Sequence, residues 1–150
     1  MQKNSFVYIH SNHTIPLIKN LKLPSGVKPI EINGLCCFPY QKFENSIVLL
    51  SLTGEKAMRK KEQEFIQGIL KAPKKTIFLI ITPFNFEYKV DLEWVYKQLE
   101  ILYEHKVNFE TLELSVLLKE KPYLTFDEAF KELQQIIELI TLVAFKAFKG

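Results

Sequence analysis

Residues 76–82 read Thr-Ile-Phe-Leu-Ile-Ile-Thr. Between the two threonines the run is apolar without alternation, which is the pattern of a strand covered by helices on both faces of its sheet. A turn containing Pro83 follows. A helix is then predicted from about Asp91 to His105, because Leu92, Val95, Leu99 and Leu102 fall on one stripe. On the other side, Pro73 closes a helix predicted over Glu55 to Leu70. Its apolar positions include Met58, Phe65, Ile66, Ile69 and Leu70, and its opposite face carries Lys56, Arg59, Lys60, Lys61 and Glu62. Before it, Ile47-Val48-Leu49-Leu50-Ser51-Leu52 reads as another buried strand, and Thr53-Gly54 as its turn.

The same alternation extends outward. Phe6-Val7-Tyr8-Ile9 is a short β-branched and aromatic run, hence a strand. Ser11-Asn12-His13-Thr14 supplies capping residues for a helix bearing Ile15, Leu17, Ile18 and Leu21, with Pro16 near its start. Pro24-Ser25-Gly26 is turn chemistry. Val27 to Ile32 is a second strand, short or at an edge because of Pro29. Gly34 to Asn45 reads as loop. A further strand is expected within Phe109 to Leu118, and Pro122-Tyr123-Leu124-Thr125 leads into a long last helix from about Phe126. Strands alternating with helices imply an α/β fold, a three-layer, Rossmann-like and mostly parallel sheet, here as a single domain over 1–150. In such sheets ligands bind at the carboxyl ends of the strands. The segments to search are therefore Ser11-Asn12-His13, Asn33-Gly34, Thr53-Gly54 and Thr82-Pro83-Phe84-Asn85.

Composition narrows the class of function. Apolar residues make up 47% and charged residues 25%, an ordinary globular balance that argues against disorder. A formal net charge of +3, with Lys and Arg interleaved with Glu, gives no reason to expect nucleic acid or a membrane surface as partner. The two cysteines, Cys36 and Cys37, are adjacent and cannot staple distant parts of the chain, so a reducing, cytoplasmic setting is expected. His10, His13 and His105 form no metal-ligand spacing, and neither a metal nor a cofactor is expected. The polar start, Met1-Gln2-Lys3-Asn4-Ser5, does not read as a signal peptide. The apolar stretch Ile136 to Phe148 is interrupted by Glu138 and Lys146 and is too short to span a bilayer.

Thr82-Pro83-Phe84-Asn85-Phe86-Glu87, between the central strand and a helix, resembles the Pro-Phe-Asn-Phe-Glu loop of the FtsZ/tubulin family. Leu99-Glu100-Ile101-Leu102-Tyr103-Glu104-His105 is similar to the end of the next FtsZ helix. Thr111-Leu112 fits the strand after it. Leu124-Thr125-Phe126-Asp127-Glu128-Ala129-Phe130-Lys131 looks like the start of the central helix. The resemblance implies an FtsZ N-terminal-domain-like nucleotide-binding unit, but a degenerate one. Where the family has a Gly-rich phosphate turn, this chain has Ser11-Asn12-His13-Thr14. Where it has a second Gly-rich loop, this chain has Leu52-Thr53-Gly54-Glu55-Lys56-Ala57-Met58, with one glycine and with Glu55 set against an anion. The base-reading positions fall near Leu117 and Gln134, and the chain reaches Gly150 before any acidic catalytic loop. Loss of GTPase activity is the expectation, with no catalytic residue assigned. Phe84, Asn85 and Phe86 are more readily explained by capping the core (Phe84 and Phe86) and holding the turn (Asn85).

Two sets of residues remain as candidate sites. Ser11, Asn12, His13, Thr53, Gly54 and Lys56 could bind a nucleotide phosphate or another anion, although Glu55, Glu62 and Glu64 balance most of the nearby basic charge. His10 or His13 with Ser11 or Thr14 could form an acid-base pair, but no specific spacing supports it. The last helix carries a stripe of Phe126, Phe130, Leu133, Ile137, Ile140 and Ala144. Ile136, Leu139, Leu142, Val143 and Phe145 widen it until the C-terminal half is apolar nearly all round. Ile136, Leu139, Ile140, Leu142, Val143 and Phe145 are accordingly expected to face a second copy or a partner protein, the alternative being that this end folds back onto the chain's own sheet. The functional expectation is a pseudo-GTPase scaffold that self-associates as a dimer or larger homo-oligomer, or binds a cell-division or cytoskeletal partner such as an FtsZ-like polymer. The alternative is a nucleotide- or phosphodiester-binding enzyme or sensor on a Rossmann-like sheet.

Overall fold

The structure, a computed structural model, describes residues 5–9, 21–32, 45–72, 75–82 and 91–149. Their elements, in chain order, are β1 (Ser5–Ile9), β2 (Lys28–Ile32), β3 (Ser46–Ser51), α1 (Arg59–Ile69), β4 (Ile77–Thr82), α2 (Leu92–Glu104), β5 (Phe109–Glu113), α3 (Leu114–Glu120) and α4 (Phe126–Lys149). The strands form one sheet in the order β2-β1-β3-β4-β5, and every neighbouring pair is parallel. Pro29 lies in β2, an edge strand, where its missing N–H costs the ladder least.

The centre of the sheet explains why residues 77–82 lack polar alternation. β3 and β4 pair Ile47 with Ile77 through Ser51 with Ile81. Successive side chains point to opposite faces. Val48, Leu50, Phe78 and Ile80 pack beneath α1 and α2, against Phe65, Ile66, Val95 and Leu102. Ile47, Leu49, Leu79 and Ile81 pack on the other face, against Leu133, Ile137 and Phe145 of α4. Helices thus cover both faces, giving three layers. Leu21, Leu23 and Val27, which precede β2, join the α4 side. Right-handed crossovers account for that side: β1 to β2 runs in the opposite direction along the sheet from β3 to β4 to β5, so the residues leading into β2 meet the opposite face.

Helix ends carry their own signals. Asp91 caps α2, its side chain accepting from the Trp94 N–H at 3.1 Å. Thr125 and Glu128 form a reciprocal capping box at the start of α4. The Glu128 N–H donates to the Thr125 hydroxyl and the Thr125 N–H donates to the Glu128 carboxylate. Hydrogen bonds from the Thr125 N–H and, secondly, its hydroxyl hold the Glu128 pKa below the usual carboxylate value.

Four expectations are corrected. The helix predicted from Glu55 begins only at Arg59, because residues 55–58 form a separate turn in which Met58 and Arg59 donate to the Glu55 carbonyl. The strand expected within Phe109 to Leu118 ends at Glu113. The following Leu-Ser-Val-Leu-Leu-Lys-Glu is the short helix α3, which carries Leu117 and Leu118 into the core beside α4. Phe145, expected on a partner surface, is 2% exposed and belongs to the chain's own core, with its ring 5.7 Å from that of Phe148. Phe126, expected on the buried stripe, is exposed, and Ala129 takes its place one turn in. Among the described residues no helix is long and apolar enough to cross a membrane.

Candidate functional site

In a sheet of order 2-1-3-4-5 the connections run outward in opposite directions from β1 and β3. The crevice beyond their carboxyl ends is where such sheets bind ligands. β3 delivers Leu52, Thr53 and Gly54 to that edge. The Leu52 N–H donates to the Ile81 carbonyl, and the Asp91 N–H to the Thr53 carbonyl, so the turn is anchored to the residues around β4 and α2. Gly54 has φ +71°, and a Cβ there would run into the backbone and Cβ of Asp91. Only glycine meets both conditions comfortably.

The turn directs two consecutive backbone N–H groups at one point, and that point is filled. The Glu62 carboxylate accepts from the Thr53 N–H (2.9 Å to Oε2, 3.1 Å to Oε1) and from the Gly54 N–H (2.9 Å to Oε1). The Thr53 hydroxyl lies 3.3 Å from Oε2 and is itself the acceptor of the Glu55 N–H. Glu62 is 1% exposed. Burial pushes its pKa above the ordinary carboxylate value. The donations from Thr53 and Gly54 offset part of that rise, and the negative charge of Glu55 adds to it. Sequence reasoning assigned Glu62 to the solvated face of the helix. The signal against that was present, since Glu62, Phe65, Ile66 and Ile69 share the i, i+3, i+4, i+7 spacing of one face. The expected opponent of an anion was Glu55; the carboxylate that occupies the donors is Glu62.

Arg59 locks the loop from outside. Its Nε donates to the Gly54 carbonyl at 2.8 Å, its guanidinium pairs with Asp91 at 2.5 Å, and it lies 5.8 Å from the Trp94 ring centre. Its positive charge is therefore already engaged. Lys56 is exposed on the preceding turn. In the described part of the site the Thr53 and Gly54 N–H groups, the Thr53 hydroxyl and the Arg59 guanidinium are all held by neighbours within the loop and helix ends. Ser11, Asn12, His13, His10, Asn33-Gly34, Cys36-Cys37 and the loop 83–87 lie outside the described residues. Among the described residues, no cluster of His, Cys, Asp and Glu could hold a metal ion.

The second candidate surface is the outer side of α4. Ile136, Leu139, Leu142 and Val143 are exposed there, Leu139 at 62% and Val143 at 59%. Ile140 is partly buried against the core. Two grooves flank the row. One, of about 370 Å³, lies between Lys22-Leu23-Pro24 and Gln135, Leu139 and Leu142, where the Lys22 N–H donates to Glu138 at 3.0 Å. The other, of about 310 Å³, lies between β5, α3 and α4. The structure therefore divides the six expected partner-facing residues into four exposed, one at the boundary and one in the core. No protein-family model, curated protein or solved structure matches the chain.

Proposed function

We propose that this chain is a non-enzymatic interaction protein, a degenerate FtsZ-like domain that self-associates or docks on a cell-division or cytoskeletal partner through the outer face of α4. The observation that carries the reading is the row Ile136, Leu139, Leu142 and Val143. These side chains stay exposed while the opposite side of the same helix is packed into the core. Clustered apolar side chains on a helix gain free energy when a second surface removes them from water. The filled loop supports the same reading. A phosphate seeking the Thr53 and Gly54 N–H groups would have to displace a carboxylate tethered in place.

Sedimentation over a concentration series tests the proposal. The wild-type chain is expected to exceed the monomer mass as concentration rises. Leu139→Asp and Val143→Asp should return it to monomer with stability changed by less than about 0.5 kcal/mol. A wild-type chain that stays monomeric at high concentration removes self-association. The strand order favours a second reading, a nucleotide- or phosphodiester-binding protein using the β1–β3 crevice. Thermal stabilisation by GTP, GDP or another nucleotide would select it over the scaffold.

A further inference from the structure

Glu132, Ile136, Leu139, Val143 and Lys146 follow one another along α4 at spacings of four, three, four and three residues. That is the spacing of a coiled-coil seam, which stays on one side of a helix over several turns. The seam is turned away from the sheet: Ile136, Leu139, Val143 and Lys146 are exposed and Glu132 is partly so. Its two end residues carry opposite charge and stand at equal distances from Leu139. Glu132 lies seven residues before it and Lys146 seven residues after, about 10.5 Å along the axis in either direction. Nearer the middle, Ile136 and Leu142 lie three residues to either side of Leu139, and Gln135 and Val143 lie four.

We infer that this seam receives the same seam of a second copy, the two α4 helices lying antiparallel about a two-fold axis through the Leu139 side chain. A two-fold contact uses one patch twice, so every pair in it occurs in duplicate. Leu139 meets its own counterpart, Ile136 of each copy meets Leu142 of the other, and Val143 packs over the stem of Gln135. At both ends Glu132 of one copy faces Lys146 of the other. Lys121 already donates to Glu132 from within the chain at 2.9 Å, but the Glu132 side chain is 31% exposed and its carboxylate has lone pairs for a second donor. Glu128, exposed one turn earlier on the same side, keeps that end of the seam acidic, while Lys131 sits roughly a quarter turn away from it. A parallel pair would instead set Glu132 against Glu132 and Lys146 against Lys146. The charges thus choose the orientation. Their symmetry about Leu139 chooses the occupant, since a self-complementary pattern is what a two-fold contact requires and a foreign helix does not. Seams of this spacing pack with their axes crossing at about 20°, which keeps the end pairs within reach. The seam is short, so the dimer is expected to form only at high protein concentration. The inference rests on the reading of α4 as an interaction surface and names the partner of that surface.

The test is sedimentation of the full chain at low salt, where exposed charges act most strongly. Lys146→Glu should weaken the dimer about tenfold, because both end pairs become repulsive. General repulsion between copies predicts the opposite, since this change lowers the net positive charge of the chain. Glu132→Lys should weaken the dimer to a similar degree. An equimolar mixture of the two variants should regain wild-type association, because each then supplies the charge that the other needs at both ends. Lys146 is exposed, so its variant carries the test even where Glu132→Lys, which gives up the Lys121 contact, loses stability. Unchanged or tighter association of Lys146→Glu, or a mixture of two folded variants no tighter than either alone, overturns the inference. So does a wild-type chain that stays monomeric, which leaves the seam to a foreign helix. If Leu139→Asp abolishes association while the charge variants leave it unchanged, the antiparallel arrangement falls and the α4 interface stands. If Leu139→Asp is without effect as well, the reading of α4 as an interaction surface falls with it.

Discussion

Replacing Glu62 by alanine should be among the more damaging single changes in the turn after β3. The substitution removes the acceptor of two backbone N–H groups, those of Thr53 and Gly54, at a position where the side chain is almost fully buried. Each buried donor left without a partner costs about 1–3 kcal/mol. The gross loss for two is therefore about 2–6 kcal/mol. Against it stands a gain: the native protein no longer buries a carboxylate whose desolvation already raises its pKa. The net expectation is a loss of about 2–4 kcal/mol. Glu62→Gln should cost less. One oxygen, Oε1, accepts from both N–H groups, and an amide carbonyl in its place keeps that pair. The amide nitrogen then faces the Thr53 hydroxyl, whose oxygen can accept it, but also the Thr53 N–H 2.9 Å from that position, a donor facing a donor, so part of the loss remains. Urea denaturation of the three proteins measures the differences through the midpoint, provided the slope is unchanged. A Glu62→Ala protein within about 0.5 kcal/mol of wild type would show that water or chain rearrangement satisfies the turn, and that the carboxylate is not what closes it.

Two further outcomes follow from the same loop. The native pKa of Glu62 is raised, so between the unfolded value near 4.5 and the higher native value the folded state holds the extra proton. Its contribution to stability is full below the unfolded pKa and is lost as pH rises through the native one. The stability of wild type relative to Glu62→Gln should therefore fall with rising pH in that window, and a rising difference in pH-dependent urea melts would contradict the assigned cause. Gly54→Ala should destabilise the protein by at least about 1–3 kcal/mol, because a positive φ and a Cβ driven against Asp91 must both be accommodated; a calorimetric melt superimposable on wild type would refute the geometry.

The layered sheet was legible because its centre speaks plainly. Residues 47–50 and 77–81 are apolar without alternation, the pattern of a strand covered on both faces. Pro29 in an edge strand and Asp91 at the start of α2 were equally readable from local chemistry. What the sequence hid depends on the third dimension. Residues 109–118 contain a strand followed at once by a helix, and a leucine-rich run serves either state. Phe145 is buried and Val143 exposed although both are apolar, because which side of α4 meets the sheet depends on the packing of distant strands. Glu62 shares a face with Phe65, Ile66 and Ile69, yet its destination was set by a turn eight residues earlier in the chain. Charge by itself suggested a solvated position, and periodicity suggested a buried one. Here periodicity was the better guide.

The two faces of the sheet close at different moments in the life of the chain. Once β3, α1, β4 and α2 have left the ribosome, the side holding Val48, Leu50, Phe78 and Ile80 has its cover close at hand in sequence. The other side, with Ile47, Leu49, Leu79 and Ile81, waits for α4, whose packing residues begin some fifty positions after β4. Until then a nascent chain presents an oily half-sandwich, the kind of surface that recruits chaperones or aggregates. The late helix is thus a timing element as well as a structural one, and truncations before Leu133 should accumulate as chaperone-bound or insoluble material rather than as a smaller folded domain.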